Sequence, residues 1–253
     1  MLAKSKLLPV LLVLISPGVS QAALSFDFNT PGQFTNNFST SQTSGLIAEG
    51  ASGGLSNSGH VDLGLIGASQ VWTLDTPFRG DLSSWSAEFY LKGTFFTQFG
   101  FTTTSSPQQV DGMPTNDGQT AYLSGIAMGS GNMDGGMIGL YDDSELIASA
   151  LTSEELTDTW YRYRISVDYI GSNNFNVTGI IHTSTSSGTL LNQVGFVQST
   201  INNPALASAD QAHLFLGFNQ FGDSVDNFST TIPEPSGLGL SMLSAFVLFR
   251  RRR

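Results

Sequence analysis

The residues best suited to chemistry are the acids and amides of one loop-rich stretch, residues 111–143. Calcium binds about six to eight oxygen atoms, which carboxylates and the backbone carbonyls of Gly-rich turns can supply. The EF-hand spacing of acids is absent, and Asp-Gly and Asn-Gly pairs also form ordinary solvated turns. The sequence therefore allows either a calcium site or simple turns. The candidate calcium ligands are Asp117, Asp134, Asp142 and Asp143.

Sequence patterns of catalysis are absent. The three histidines, His60, His182 and His213, lie in separate predicted strands, without the spacing of metal ligands. No nucleophile elbow, phosphate-binding glycine loop or His-Glu-x-x-His motif occurs. A retaining glycosidase needs two carboxylates about 5 Å apart, and no predicted strand carries acids at positions i and i+2. We predict that the protein is not an enzyme, with a polysaccharide-degrading enzyme of the same fold as the alternative.

The elements that must position these residues are β-strands. At 161–169 apolar and aromatic residues alternate strictly with polar ones, as in a half-buried antiparallel strand. Comparable runs recur along the chain between turn-forming residues, and the single helical candidate is 152–156. This pattern predicts one all-β domain, an antiparallel β-sandwich or jelly roll over residues 23–231. The other predicted strands are 24–28, 61–66, 71–74, 85–91, 95–103, 121–128, 137–141, 175–182, 212–218 and 225–230.

Aromatic residues could serve the core or bind sugars, because an exposed ring can stack on the apolar face of a saccharide. Tyr90 and Phe96 fall off the apolar faces of their strands and are the better candidates for exposure. Alternation predicts core positions for four other rings, namely Trp85, Trp160, Tyr161 and Tyr163.

Three stretches carry a resemblance in pattern. Strand-like segments open and close the domain at 24–28 and 224–229, and a Trp-Tyr strand lies at 159–168. Together they resemble concanavalin A-like and laminin-G-like sandwich domains, and this resemblance implies a jelly roll. The glucanases of that fold carry a Glu-x-Asp strand motif that this chain lacks. An immunoglobulin-like sandwich is the alternative.

The charge balance excludes one class of partner. Residues 24–232 contain 19 acids and four bases, a formal charge of −15. A phosphate backbone would be repelled, so we predict no nucleic-acid partner. The chain has no cysteine, which excludes thiol catalysis, cysteine-bound zinc and disulfides.

The N-terminus has the layout of a secretory signal peptide. Lys4 and Lys6 precede an apolar stretch at 7–15, and small residues end at Ala22. We predict a signal peptide over residues 1–22 with cleavage after Ala22. The alternative is a retained membrane anchor, although the apolar run is short for spanning.

The C-terminus, residues 232–253, combines Pro233-Glu234-Pro235, an apolar run at 237–249 and Arg250-Arg251-Arg252-Arg253. The apolar run would span roughly 20 Å as a helix, less than the roughly 30 Å hydrocarbon core, and the arginines would stay on the cytoplasmic side. These three parts, in this order, resemble the PEP-CTERM sorting signal. The alternative is an anchor that is never cleaved.

The PEP-CTERM resemblance implies an exosortase as partner, with transient insertion of the tail in the inner membrane and its cleavage. It also implies export to the cell surface or extracellular matrix of a Gram-negative bacterium. We therefore expect a non-catalytic surface or matrix protein that binds extracellular polysaccharide or serves as a scaffold. Apart from a possible calcium ion, no cofactor is predicted.

Overall fold

The computed structural model describes residues 21–42, 48–62, 69–78, 84–93, 96–105, 125–131, 136–143, 145–157, 159–219 and 224–233. These residues form two antiparallel sheets. Their strands, in chain order, are β1 (Gln21–Phe26), β2 (Phe38–Gln42), β3 (Ala48–Gly50), β4 (His60–Asp62), β5 (Ser69–Leu74), β6 (Ser84–Lys92), β7 (Phe96–Thr102), β8 (Gly125–Gly131), β9 (Met137–Asp142), β10 (Glu145–Leu151), β11 (Trp160–Gly171), β12 (Asn174–Ser184), β13 (Leu190–Asn202), β14 (His213–Asn219) and β15 (Ser224–Pro233).

Each sheet combines runs of consecutive strands with pairs of strands that are distant in sequence. Sheet A has the order β13-β12-β11-β6-β15-β4-β3, and β1 pairs with β15 as an eighth strand. Sheet B has the order β10-β9-β8-β7-β14-β5-β2. The predicted class, an all-β antiparallel sandwich, is confirmed.

The core lies between the sheets and is rich in aromatic rings. Trp85, Tyr161 and Tyr163 are almost fully buried in this core, so their predicted core positions are confirmed. Trp160 is also buried, but it lies outside the core cluster. Phe89 stacks on Tyr163 within sheet A, with ring centroids 5.4 Å apart. It meets Phe99 of sheet B edge to face at 4.7 Å, a favoured aromatic geometry that joins the two layers.

A bend in β15 contains a buried carboxylate. β15 pairs with β4 at Ser224 and Val225, and with β1 from Phe228 onward. Between these pairings Asn227 has φ +45°, and Asp226 is fully buried. Asp226 Oδ2 accepts hydrogen bonds from the Leu55 amide (2.7 Å) and the Ser58 hydroxyl (2.8 Å). Burial nevertheless raises the pKa of Asp226.

The predicted helix at 152–156 is wrong. The Thr152 hydroxyl donates to the Glu154 carbonyl (2.7 Å), and the Ser153 amide donates to the Val194 carbonyl (2.8 Å). These bonds hold the segment as an irregular connection between the sheets. A short helix, α1 (Pro204–Ser208), forms elsewhere, with Asn203 as its N-cap and proline in its first turn.

The strands extend beyond the predicted domain limits at both ends. β1 begins at Gln21, which lies opposite Pro233, and Ala22 lies opposite Ile232. The predicted tail from Glu234 onward and the predicted signal peptide up to residue 20 lie outside the described residues. Within the described ranges, no helix is both long and apolar enough to cross a membrane.

Candidate binding site on the outer face of sheet A

The outer face of sheet A carries polar side chains in cross-strand rows. Alternation along β6, β11 and β12 sends every second residue away from the core. Pairing then places Arg162 between Tyr90 and His182, and Arg164 between Glu88 and Ile180. We call this surface the polar face.

Three of the charged residues on the polar face lie next to one another, while Lys92 and Asp168 lie farther along β6 and β11. Arg162 Nη1 lies 3.7 Å from Glu88 Oε2, and the two side chains are 16% and 31% exposed. Arg164 is exposed directly across the strand pair from Glu88. Two guanidinium groups therefore flank one carboxylate, on a domain that is otherwise strongly acidic.

A shallow pocket of about 220 Å³ opens on this face. It is smaller than typical small-molecule pockets of about 300–1,000 Å³, so it suits one ring of a larger ligand. The hydroxyl groups of Ser86 and Thr231 share a hydrogen bond at 2.5 Å in its wall. The pocket is lined by Ala23, Ser86, Glu88, Arg164, Ser229, Thr230 and Thr231.

The row next to the pocket contains two buried nitrogens with unused hydrogen-bonding capacity. Arg162 Nε and His182 Nδ1 have no hydrogen-bond partner among the described residues. Burial, followed by the nearby Arg162 charge, lowers the pKa of His182. At neutral pH, His182 is therefore uncharged, and the positive charge of this row belongs to Arg162. The end of the row is fixed by the Tyr90 hydroxyl, which donates to the Gly188 carbonyl (3.1 Å).

The outer face of sheet B is different, because it bears a second apolar cluster of Ala127, Tyr141 and Phe215. Phe215 is only 1% exposed and Tyr141 4%. A Cβ atom on Gly129 would lie 2.9 Å from the Tyr141 ring, and one on Gly139 would lie 3.2 Å from it. Glycine at both positions leaves room for this ring to lie across the strands.

Two of the four predicted calcium ligands lie in the described residues, at the turn between β9 and β10. Asp143 Oδ1 accepts a hydrogen bond from the Gly125 amide (2.7 Å). Asp142 Oδ1 accepts one from Asn203 Nδ2 (2.6 Å), and burial raises the pKa of Asp142. The other two, Asp117 and Asp134, lie outside the described residues.

The described part of this turn does not by itself fit a calcium ion. Two carboxylates, each with one oxygen already bound to a protein N–H, fall short of the six to eight oxygens that calcium takes. No group of three or more acidic or histidine side chains that could hold a metal ion occurs in the described ranges. A calcium site that uses all four aspartates stays a prediction.

Asn203 is the organising residue near the predicted metal site. Its Oδ1 accepts from the Leu206 amide (2.7 Å) to cap α1, while its Nδ2 binds Asp142. Its own amide donates to the Asn173 carbonyl (2.9 Å) in the turn between β11 and β12. Asp142 thus helps to join the two sheets.

The remaining predicted site residues are placed as follows. Ala22 and Pro233 lie in the paired strands β1 and β15, and Tyr90 is half-buried on the polar face. His60 and His213 are buried at the first residues of β4 and β14. The processing residues Glu234, Pro235, Arg250, Arg251, Arg252 and Arg253 lie outside the described residues.

Sequence reasoning missed the pocket. Its side chains come from β1, β6, β11 and β15, strands that lie far apart along the chain. The available signal was the polar half of the alternation at Ser86, Glu88 and Arg164, which the sequence assigns to one outward face. The strand order needed to join these residues is not encoded in any short motif.

The pocket geometry does not support hydrolysis. Glu88 is the single carboxylate among the residues that line it. Glycoside hydrolysis generally requires two carboxyl groups that flank the scissile bond. The pocket can therefore donate and accept hydrogen bonds, but it lacks the acid and base pair of a glycosidase.

Known structures share this architecture. A legume lectin-like domain from Entamoeba histolytica superimposes with a TM-score of 0.52 at 15% identity, covering 82% of this chain and 94% of that domain. A lectin from Bauhinia forficata in complex with GalNAc also gives 0.52, at 9% identity, covering 84% and 98%. No protein-family model and no curated protein matches the chain by sequence. At these identities the likeness shows the fold, a legume-lectin-like sandwich.

Proposed function

We propose that this chain is a non-catalytic glycan-binding protein that holds one saccharide unit in the pocket on the polar face. The observation that carries the proposal is the pocket itself, where hydroxyl groups lie beside the paired residues Glu88 and Arg164 on a sandwich of lectin type. Lectins of the same fold support this class of ligand, including one solved in complex with GalNAc.

The chemistry of the lining suits a sugar. Each sugar hydroxyl both donates and accepts hydrogen bonds, and the pocket offers acceptors at Glu88, donors at Arg164 and hydroxyls that do both. The methyl group of Ala23 adds a small apolar contact for the C–H groups of a ring. The Arg162 side chain, one row away and 16% exposed, adds positive charge beside the pocket.

A polysaccharide-degrading enzyme is the second candidate, and the single carboxylate of the pocket disfavours it. A pure scaffold that binds no glycan is the third. Turnover of matrix glycans would support the enzyme, and saturable binding without turnover would support the lectin-like role. The absence of both turnover and binding would support the scaffold.

The binding test is a glycan array with purified protein, including GalNAc-containing and acidic polysaccharides, followed by titration of the best ligand. Arg164→Met removes the guanidinium from the pocket, and it should weaken binding about tenfold or more, since hydrogen bonds to charged groups contribute about 1.5–3 kcal/mol. Lys92→Met is the matched control, because Lys92 lies on the same strand as Glu88 but does not line the pocket. Equal affinity of the Arg164→Met variant and the wild type would reject this site.

Export and sorting complete the proposal. The predicted signal peptide and PEP-CTERM tail would deliver the domain to the cell surface or matrix, where extracellular polysaccharide is available. Mass spectrometry of the secreted form tests this part. Trimming near Pro233 and after Ala22 is expected, whereas a C-terminus intact through Arg253 would contradict processing by an exosortase.

A further inference from the structure

The basic side chains of the described residues all lie on the polar face. Residues 24–232 contain four bases, and the three in the described ranges are Lys92, Arg162 and Arg164. Each of them occupies an outward position of β6 or β11. The acids of the described residues, by contrast, are spread over both sheets and their loops. Within the described part of this acidic domain, the polar face is therefore where a negatively charged ligand meets cations.

Arg164 is the most accessible of these cations. Glu88 forms its ion pair with Arg162, at 3.7 Å, rather than with Arg164. The Arg162 side chain is only 16% exposed, whereas Arg164 is exposed and lines the pocket. A guanidinium group can bind a carboxylate through two parallel hydrogen bonds, so Arg164 suits an acidic group of a ligand.

The cross-strand row of Arg164 joins the pocket to an exposed aromatic ring. Arg164 lies between Glu88 and Ile180, and Ile180 lies opposite Phe196 of β13. Phe196 is 46% exposed on the same face, and an exposed ring can stack on the apolar face of a sugar. Two strand spacings, about 10 Å, separate Arg164 from Phe196. This is about the length of a disaccharide, so a chain held at the pocket would extend over Ile180 and Phe196.

Features on both sides of this row favour a ligand that lies across the strands. The Ser56 amide donates to the Ser186 carbonyl (2.6 Å), which joins the loop before β4 to the loop between β12 and β13. The second loop also accepts the Tyr90 hydroxyl, so both loops lie at that end of the polar face. Toward the other end, the exposed carboxylate of Asp168 would repel an anion. The row of Arg164 lies between these two limits.

We propose that the glycan bound on the polar face is a uronic-acid polysaccharide, which carries carboxylate groups, and that it lies across the strands from the pocket to Phe196. This inference rests on the proposed glycan binding and specifies its ligand. Arg164 binds a carboxylate of the chain, and Phe196 stacks on a sugar unit about two strands away. One accessible guanidinium group suits a polymer of sparse charge, whereas duplex DNA carries one charge per about 1.7 Å.

The negative charge of the whole domain is compatible with an anionic ligand. Exposed charges farther apart than about 8–10 Å are largely screened at physiological salt. Of the acids near the row, Glu88 is already paired with Arg162, and Asp168 lies four residues from Arg164 along β11, a distance of about 13 Å. The charge that a ligand meets in this row is therefore the positive charge of Arg164.

The charge of the ligand is tested by titrating the purified protein with polygalacturonate, alginate and hyaluronate, each beside its methyl ester. The ester keeps the sugar backbone and removes the charge. At least one acid should bind at least about tenfold more tightly than its ester. Arg164→Met should reduce this affinity ratio to about one, because it removes the group that binds the carboxylate. Arg164 is exposed, so the variant should stay folded by circular dichroism.

Phe196→Ala tests the path across the strands. It should weaken binding of the acidic polymer at least about threefold, and it should leave the affinity for the matching uronic-acid monosaccharide unchanged, because a single unit occupies only the pocket. Leu151→Ala is the matched control, since Leu151 is an exposed apolar residue of β10 in sheet B. It should change neither affinity.

The outcomes separate this inference from the proposed function. Binding of a glycan without any preference for acid over ester would overturn the inference and leave glycan binding in place. A preference that Arg164→Met does not reduce would also overturn it. So would Phe196→Ala if it left polymer affinity unchanged or weakened polymer and monosaccharide equally. The absence of binding to every glycan would refute the proposed function itself, and this inference with it.

Discussion

On the outer face of sheet A, the alternate strand positions hold arginine, glutamate, serine and threonine, whereas sheet B has glycine, Ala127, Tyr141 and Phe215 at such positions. Both sheets turn their other face to the same core. The outward residues alone therefore decide whether the outer face of a sheet is a solvent-exposed polar surface or a second apolar layer. Among the described residues, a hydrophilic ligand finds an open polar pocket on sheet A, while the outward rings of sheet B are buried.

The largest effect is expected from adding a methyl group at a glycine on the outer face of sheet B, which tests the contrast between the two outer faces. A methyl group at Gly100, on the outer side of β7, would collide with the Ile126 carbonyl and lie 2.6 Å from the Ala127 Cα atom. Because backbone must move, Gly100→Ala should lower the free energy of unfolding by about 2–3 kcal/mol. Ser166→Ala on the polar face should change it by less than about 0.5 kcal/mol.

Urea unfolding of both variants provides the measurement. Equal losses in the two proteins would show that the outer faces are packed alike, which contradicts the contrast drawn between them.

A second prediction concerns the one described aspartate that is fully buried beside the polar face. Burial raises the pKa of Asp226 above its ordinary value of about 4. At a pH between the ordinary and the raised pKa, the folded state holds a proton that the unfolded state has lost. The free energy of unfolding due to this group therefore falls as pH rises through that window.

Asp226→Asn removes this titration. It should also destabilise the fold by about 1–3 kcal/mol, because one amide cannot accept all three hydrogen bonds from Leu55, Ser58 and Asn227. The free energy of unfolding of the wild type should exceed that of the variant most at acid pH, and this difference should shrink as the pH rises. Urea unfolding across this range measures it, and a constant or growing difference would refute the assignment.

The smallest expected effect belongs to the ion pair of the polar face. Glu88 and Arg162 are partly exposed and 3.7 Å apart, so Glu88→Gln should change the unfolding free energy by no more than about 1 kcal/mol. Glycan affinity should change more than stability, since Glu88 lines the pocket. A large stability loss would mean that this face is structural, as on sheet B.

The sequence predicted those strands that alternate cleanly. β6 follows the period of two throughout and β11 follows it after Trp160, and their buried rings were expected. β10 was missed because its exposed positions include Ile147 and Leu151, which leaves apolar residues on both faces of the strand. β13 was missed because register shifts near Val194 break its alternation. A one-residue shift moves every later side chain to the other face, so no simple period survives.

The binding pocket lay beyond sequence reasoning for a different reason. Ser86 meets Thr231 because β6 pairs with β15, which is 145 residues away in sequence. Such long-range pairing depends on the whole topology rather than on local preference. The aspartates at 142 and 143 accept hydrogen bonds in the described structure, and the calcium site predicted from all four aspartates stays a prediction.

The position of β15 has a mechanical consequence. Its last residue is Pro233, and the strand runs between β6 on one side and β1 and β4 on the other, contributing Ser229 and Thr231 to the pocket. Tension on the chain beyond Pro233 would act along the strand axis and load many lateral hydrogen bonds in shear at once, rather than opening them one after another. A ligand bound on β6 and β15 would thus contact the same strand that carries tension from the C-terminal side into the domain.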